Sequence, residues 1–464
     1  MKVLIQGGMV VTPRGSSQKD ILVEDGKIAR IGSGLPCGDA ETLDASGCLL
    51  FPGFIDSHTH FDLSNDLAHS PDDFHTASGA ALLGGTTSIL DFATQNRGET
   101  LTQALNNWHR MADGKTSCDY GFHMSFSEWN PVLKAEVKEM AERGVTSFKL
   151  YMAYDNLRVN DGEMYEILQE IGKIGGIAGT HCENGDLVNA LVREQKAMGH
   201  KSPAAHPLSR PDEVEAEAVS RYLRVAELAG VPVNIVHLST KKALEEVRRA
   251  RARGQDVYVE TCPQYLLLDD SRYDAPFEEA CKFVLSPPLR KPEDEEALWQ
   301  ALQNGEIDTV GTDHCSFHLA QKAKGRDDFS KIPNGIPGVQ HRAQLIYTYG
   351  VEAGRITKEQ MAALLSENIA RQFGMYPQKG VLEAGSDADI VVWDPKARGT
   401  ISAAGQAHNV DNTPYEGFAT KGAARDVFLR GERVVDGGRL VLENRGRFVS
   451  RKQSEYFHRE KKQG

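Results

Sequence analysis

The chain has 464 residues, of which 40% are hydrophobic and 25% are charged, close to an average soluble globular protein. Its 53 basic and 65 acidic residues give a formal net charge of −12, which argues against nucleic acid and anionic membranes as main partners. No stretch is long and apolar enough to span a membrane, and the apolar run at the N-terminus is too short for a signal peptide.

The cysteine content predicts a reducing environment. The chain has seven cysteines, an odd number, at wide spacings and without a CxxC pair. This pattern supports neither a disulfide framework nor a cysteine zinc knuckle. We therefore expect free thiols and a cytoplasmic protein.

Both ends of the chain predict short β-strands separated by turns. At the N-terminal end the β-prone stretches are residues 2–5, 9–12, 21–23 and 27–31, with a hairpin turn signal at Asp25-Gly26. At the C-terminal end they are residues 388–393, 424–429 and 431–435. We interpret residues 1–52 and 376–440 as one β-sandwich domain built from both termini. The alternative is two separate β segments.

Between these ends, strands alternate with helices. The candidate strands are residues 54–60, 86–92, 120–126, 146–152, 176–183, 231–239, 257–263 and 307–315. Residues 160–174 predict a helix with Asn160 and Glu163 as a capping box, and residues 211–228 predict another that ends at Gly230. This α/β alternation predicts a (β/α)8 TIM barrel over residues 53–375. An open doubly wound sheet is the alternative, but no GxGxxG turn follows any strand.

Residues 441–464 form a charged C-terminal tail. It carries Arg451, Lys452, Arg459, Lys461 and Lys462 and shows no core pattern. Two interpretations are open: a solvated tail, or an arm that crosses a subunit interface.

Polar side chains stand where several of the predicted strands end. His58-Thr59-His60 ends the first strand, and residues i and i+2 of a strand face the same side, so both imidazoles can point to one metal ion. Three other strand ends add His181, His237 and Asp313. Taken singly, each histidine could be a hydrogen-bonded core residue. Together they predict a metal site, because barrel active sites are built at these ends and imidazole and carboxylate suit zinc and its neighbours.

Lys149 places a charge inside the apolar fourth strand, which is costly unless a partner compensates it. The ordinary interpretation is an ion pair with a buried acid. An ammonium group cannot bind a cation. The carbamate that lysine forms with CO₂, however, presents a carboxylate that can bridge two metal ions.

Several further segments resemble those of a known family. These segments are residues 52–60, 84–88, 148–154, 260–265, 286–290, 312–315 and 333–335. Together with the polar strand ends, they make the chain resemble the dihydropyrimidinase/hydantoinase family of cyclic amidohydrolases over nearly its whole length. The resemblance implies a homotetramer that opens a small cyclic ureide, a dihydropyrimidine or a hydantoin, to an N-carbamoyl amino acid.

The resemblance also implies a site with two divalent metal ions, expected to be zinc. One zinc would be held by His58, His60, carbamylated Lys149 and Asp313, and the other by Lys149, His181 and His237. Metal binding lowers the pKa of water to near neutrality, which supplies a nucleophile at pH 7.

The resemblance gives four residues catalytic or substrate-binding roles. Asp313 would take the proton of the water and pass it to the leaving nitrogen, and Tyr154 would donate its phenol proton to the developing oxyanion. Ser286 and Asn334 would hold the imide edge of the ring, largely through backbone groups. Without the resemblance, Tyr154 would be interpreted as a barrel-rim tyrosine, and Ser286 and Asn334 as turn residues.

Related enzymes and a non-catalytic scaffold are the alternatives. Dihydroorotases usually follow the HxH pair with an arginine that binds the substrate carboxylate, whereas Phe61-Asp62 follows here. Allantoinases share the lysine and histidines, but the Tyr154 motif favours the hydantoinase branch. The collapsin-response-mediator proteins keep the fold but have lost metal ligands, whereas this chain has every ligand.

Two loops that would face the ring substituent contain charges, Asp66 in residues 63–70 and Arg158 in residues 155–159. Side chains that point inward would make the pocket polar, because burying an unpaired charge is unfavourable. The expectation is a preference for small or polar substituents. The alternative is that both charges point to solvent, with an apolar gate formed by Leu63, Leu67, Leu157 and Val159.

Overall fold

The computed structural model describes residues 2–455, so Arg459, Lys461 and Lys462 of the C-terminal tail lie outside the described residues. The first strands are β1 (Lys2–Thr12), β2 (Gly15–Glu24), β3 (Lys27–Gly32), β4 (Glu41–Asp44) and β5 (Leu49–Pro52). β2 and β3 pair antiparallel around Asp25-Gly26, where both residues have positive φ, as a tight two-residue hairpin turn requires. The predicted turn is confirmed.

Eight parallel strands form a barrel in the middle of the chain. They are β6 (Phe54–Thr59), β7 (Thr86–Thr94), β8 (Asp119–Ser125), β9 (Ser147–Tyr151), β10 (Ile177–His181), β11 (Val233–Ile235), β12 (Val257–Thr261) and β13 (Thr309–Val310). Each strand pairs with the next along the chain. The ring closes where Asp313 N donates to His58 O at 2.9 Å and His60 N donates to His314 O at 2.8 Å. The predicted (β/α)8 TIM barrel is confirmed.

Every predicted barrel strand overlaps an observed one, but β11 and β13 end well before the predicted strand ends, whereas the ends of the other strands differ by at most two residues. β11 stops at Ile235 and β13 stops at Val310. His237 and Asp313, which follow them, have φ of 39° and 54°, in the left-handed region that a strand does not allow. The backbone therefore leaves the ladder before both residues and places them on the rim of the barrel.

Helices lie between the barrel strands and continue beyond them. They are α1 (Phe74–Leu83), α2 (Leu101–Ala112), α3 (Pro131–Glu142), α4 (Asp161–Lys173), α5 (Gly185–Ala197), α6 (Ala205–Leu208), α7 (Asp212–Ala229), α8 (Lys241–Ala252), α9 (Gln264–Leu267), α10 (Phe277–Ala280), α11 (Pro292–Gln303), α12 (Leu319–Lys322), α13 (Arg342–Ile346), α14 (Lys358–Ala362) and α15 (Asn368–Gln372). Short 3-10 turns span Asp270–Asp274, Cys281–Phe283, Ala323–Gly325 and Phe329–Lys331, and π-helical turns span Tyr347–Val351 and Ala363–Glu367.

Both predicted helices are confirmed, with the ends that the sequence indicated. At the start of α4, Asn160 accepts from Glu163 N at 3.0 Å, while the Glu163 carboxylate accepts from Asn160 N at 2.8 Å. α7 ends at Gly230, whose φ of 70° is the left-handed conformation that glycine adopts without strain. No helix within residues 2–455 is long and apolar enough to cross a membrane.

The second domain is completed by β14 (Ile390–Thr400), β15 (Ala419–Leu429), β16 (Glu432–Asp436) and β17 (Arg439–Leu440). With β1–β5 these strands form one mixed sheet in the order β17-β16-β15-β14-β5-β1-β2-β3, and β4 pairs with β1. The two ends of the chain meet where β5 pairs antiparallel with β14. A second β domain built from both termini is therefore confirmed.

The start of the C-terminal tail is not a solvated segment. Val449 N donates to Tyr120 O at 2.7 Å, and Lys452 N donates to Gly374 O at 3.0 Å. The Arg451 side chain is buried and donates to Ser147 Oγ at 2.5 Å. The solvated-tail interpretation is wrong here, because the backbone of this segment pairs with β8 at the end of the barrel opposite the rim.

Candidate active site

The two histidines of the first barrel strand converge with Asp313. His58 is fully buried on β6, and its Nε2 lies 3.2 Å from Asp313 Oδ1. His60 Nε2 lies 3.2 Å from the same oxygen. Three ligand atoms from these residues lie within 4.8 Å of one another, close enough to hold one metal ion. The i, i+2 spacing of His58 and His60 therefore directs both imidazoles to the same side, as expected from strand geometry.

A second histidine pair lies beside the first. His181 Nδ1, at the end of β10, is 3.0 Å from His237 Nε2, which follows β11. The His237 ring centroid is 5.3 Å from that of His58. The structure thus brings all four sequence-predicted histidines together at the carboxyl ends of the barrel strands.

Buried carboxylates orient two of these imidazoles. His58 Nδ1 is 2.6 Å from Glu260, and His181 Nε2 is 2.8 Å from Glu183. Glu183 also accepts from Arg210 at 2.5 Å. Each carboxylate occupies one ring nitrogen and leaves the other facing the cluster, an arrangement common around metal-binding histidines. Sequence reasoning missed these acids, although each stands in an apolar strand or directly after one.

Burial keeps most of the cluster in the form that binds metals. It lowers the pKa of His60 to about 4 and also lowers the pKa of His181 and His237, so these imidazoles are neutral near pH 7. Burial opposes ionisation of Asp313 too, but the neighbouring His58 and His60 hold its pKa well below the usual range. Neutral imidazole and ionised carboxylate are the ligand forms that divalent metals require.

Lys149 lies in β9 and is almost completely buried. Its Nζ lies 4.9 Å from the Phe92 ring centroid and 5.3 Å from that of Tyr151. Within residues 2–455 no carboxylate lies within ion-pair distance of this amine, so the ordinary interpretation, a buried ion pair, is not what the structure has. Burial lowers the pKa of Lys149 to about 8, partly offset by Asp313 and Glu260, which increases the neutral amine near pH 7.

Tyr154 follows β9 in a constrained conformation. Its φ is 67°, uncommon for a residue with a side chain, and its carbonyl accepts from Leu157 N and Arg158 N at 2.9 and 2.8 Å. Its ring centroid is 5.2 Å from that of His181, and Arg210 Cζ is 5.8 Å from the ring. Burial raises the pKa of Tyr154, although Arg210 and a hydrogen bond with Ser286 oppose the rise. The phenol therefore keeps its proton near pH 7.

Ser286 and Asn334 meet although they are far apart in sequence. Asn334 Nδ2 donates to Ser286 Oγ at 3.0 Å, and Ser286 is 8% exposed. Ser286 also lowers the pKa of Tyr154, so the three predicted substrate-binding residues are close to one another.

The two loop charges lie outside the buried site. Asp66 is exposed. Arg158 pairs with Asp155 at 2.9 Å and with Asp186 at 2.8 Å, and both of these acids are exposed. The expectation that these charges make the pocket polar therefore loses its basis.

A second group of acids, Asp119, Asp387 and Asp389, is also close enough to hold a cation. Lys379 already occupies it, with Nζ 2.5, 2.9 and 2.7 Å from the three carboxylates. This group is thus a buried ion-pair cluster. Among the described residues, the histidine cluster at the barrel rim is the candidate metal site.

Imidazole, carboxylate and lysine groups that converge at the carboxyl ends of TIM-barrel strands are typical of hydrolases that use divalent metal ions.

Comparison with known proteins agrees with a hydrolase. The amidohydrolase family profile matches residues 49–434. A D-hydantoinase of Geobacillus stearothermophilus is 43% identical over 455 residues, which cover 97% of each chain. A D-phenylhydantoinase of Escherichia coli O81 (strain ED1a) is 42% identical over 460 residues, 97% of this chain and 98% of its own.

Solved structures give the same result. A dihydropyrimidinase from Brevibacillus agri NCHU1002 superposes with a TM-score of 0.97 at 41% identity, covering 98% of this chain and 99% of that one. The chain belongs to the amidohydrolase family, in the group of cyclic amidohydrolases that contains the hydantoinases and dihydropyrimidinases. It is an enzyme that hydrolyses cyclic amides.

Proposed function

We propose that this enzyme opens dihydropyrimidines or hydantoins to N-carbamoyl amino acids, with two zinc ions held by His58, His60, carbamylated Lys149, His181, His237 and Asp313. The observation that supports this most is the convergence of two histidine pairs and Asp313 next to a buried lysine, which forms no ion pair among the described residues. Names of relatives point to the same substrates, since they include D-hydantoinase and dihydropyrimidinase.

The residues present fit a pair of metal ions. His58 Nε2 is buried and, although it lies 3.2 Å from Asp313 Oδ1, it makes no well-directed hydrogen bond among the described residues, while its Nδ1 is occupied by Glu260. Such an unpaired nitrogen costs free energy unless a ligand satisfies it. Four imidazoles and an aspartate form a nitrogen and oxygen donor set that suits zinc, and a carbamate on Lys149 would add a bridging carboxylate. When bound, the ions would activate water and polarise the scissile carbonyl.

The chain's own residues supply the remaining chemistry. Hydrolysis adds a water oxygen to the ring carbonyl carbon, breaks the ring C–N bond and leaves a proton on the departing nitrogen. We assign Asp313 to take the proton from the attacking water and to pass it to that nitrogen. Tyr154 donates its phenol hydrogen to the oxyanion that forms on the carbonyl oxygen. Ser286 and Asn334 hold the imide edge.

Replacing Tyr154 by phenylalanine should lower kcat on the order of 10²-fold, the loss typical of one oxyanion donor. KM should change less, because the phenol is assigned to a charge that exists only in the transition state. Steady-state kinetics on hydantoin would measure both constants. Tyr165→Phe, in α4, removes the same hydroxyl outside the site and is the control. A change confined to KM would move Tyr154 to a substrate-holding role.

The direct test of the reaction is a substrate panel. Purified enzyme would be incubated with hydantoin, dihydrouracil, phenylhydantoin and allantoin, and products identified by mass spectrometry. We expect N-carbamoyl amino acids from the first three. Because Asp66 is exposed and Arg158 is ion-paired, phenylhydantoin should be opened at least as efficiently as hydantoin. Turnover of allantoin alone would support the allantoinase alternative and refute the proposal.

We also propose, on the family resemblance, that the enzyme is a cytoplasmic homotetramer. Residues 53–375 would form the catalytic domain, and residues 1–52 with 376–440 the β domain. All seven cysteines are free thiols and six are buried, which is compatible with a reducing compartment.

A further inference from the structure

Lys322 is a buried cation behind the two segments that carry Ser286 and Asn334. It is the last residue of α12 and has no exposed surface. Its Nζ donates to Val284 O and to Pro333 O, each at 3.0 Å. These carbonyls lie two residues before Ser286 and one residue before Asn334. One ammonium group therefore joins both segments directly behind the side chains that meet in the site.

The two segments have few other restraints from regular structure. Neither belongs to a strand, and they meet through Gly335 N, which donates to Val284 O at 3.0 Å, and through the Asn334–Ser286 side-chain contact at 3.0 Å. Other side chains hold the first segment alone, since His206 donates to Leu285 O at 2.7 Å. Lys322 differs because it reaches both.

The cost of this arrangement argues against a role in stability alone. Lys322 has no carboxylate within ion-pair distance among residues 2–455, and the Phe317 ring lies 5.9 Å from its Nζ. Burial lowers the pKa of Lys322 to about 8, although Cys281 and Cys315 oppose the shift. An apolar side chain of similar length would avoid the desolvation that an unpaired ammonium incurs. An apolar side chain, however, cannot donate hydrogen bonds to the carbonyls of Val284 and Pro333.

We propose that Lys322 is a positioning residue for substrate recognition: it holds the segments of Ser286 and Asn334 in register so that both meet the imide edge of the ring. This inference rests on the proposed function. The imide contacts exist in the bound substrate and in the transition state alike, so their loss raises KM with little change in kcat. A residue that served stability alone would lower the amount of active enzyme and leave KM unchanged.

The test compares Lys322→Met with Lys324→Met. Methionine keeps length and apolar contacts but removes the donors, and Lys324 is an exposed lysine two residues away, so its variant has the same change in net charge. For Lys322→Met we expect KM for hydantoin to rise about 10-fold, equivalent to about 1.4 kcal/mol of binding free energy. Zinc content and kcat per folded enzyme should stay close to wild type. Lys324→Met should match wild type throughout.

A second variant, Lys322→Gln, retains an N–H donor and should give a KM between those of wild type and Lys322→Met. A folded Lys322→Met enzyme with wild-type KM would overturn the inference. So would failure of both Lys322 variants to fold while Lys324→Met folds, because that result assigns Lys322 to stability. A wild-type enzyme that opens no cyclic ureide would instead refute the proposed function, before any variant is compared.

Discussion

Replacing Lys149 by alanine should reduce turnover to the detection limit and lower the zinc content of the purified enzyme. The carbamate would form when the neutral Lys149 amine attacks CO₂, making an N–C bond and releasing a proton to solvent. A pKa lowered to about 8 by burial makes that neutral form accessible near pH 7. Alanine removes the only group in β9 that could bridge the two histidine pairs.

Metal analysis and activity would be measured together, with Lys138→Ala as the control, since Lys138 is a largely exposed lysine on α3. Acetate or propionate added to Lys149→Ala should restore part of the activity by placing a carboxylate in the vacated space. Growth on ¹³C-bicarbonate should give the wild type a carbamate carbon signal that the variant lacks. An active, metal-loaded enzyme whose Lys149 is unmodified would refute the assignment.

The fold was predictable because strand spacing and periodicity are local properties of the sequence. All eight barrel strands and the helix ends at Asn160 and Gly230 follow from local pattern. The metal-site prediction needed one further rule, that parallel strands bring their carboxyl ends to one rim. That rule predicts that His181 lies near His237, but it does not predict the 3.0 Å distance between His181 Nδ1 and His237 Nε2.

What the sequence could not predict depends on contacts between distant segments. Arg451 reads as part of a charged tail, yet it lies buried because its neighbours pair with β8. Glu183 and Glu260 share one signal, a charge in an apolar strand or directly after one, whereas Lys322 stands among polar and charged residues and carries no such signal. The same signal identified Lys149, but the partner of each charge becomes visible only when the barrel closes.

The roles of Asp313 as ligand and as base can be separated by asparagine. Asp313 has φ of 54°, and asparagine is among the side chains that tolerate this left-handed conformation, so Asp313→Asn should keep the local backbone. The amide oxygen can still ligate, whereas the amide cannot accept the proton of water. We expect kcat to fall at least ~10²-fold, the lower end of general-base effects.

Zinc analysis decides how that loss is interpreted. In Asp313→Asn the oxygen that lies 3.2 Å from both His58 Nε2 and His60 Nε2 is retained, so zinc content should stay near that of wild type. Asp313→Ala removes ligand and base together, and it should lose zinc as well as activity. A slow, zinc-loaded asparagine variant beside a zinc-depleted alanine variant would identify Asp313 as the proton acceptor. Near-normal turnover of Asp313→Asn with zinc bound would assign the proton transfer to another group, because no carboxylate would then remain at this position.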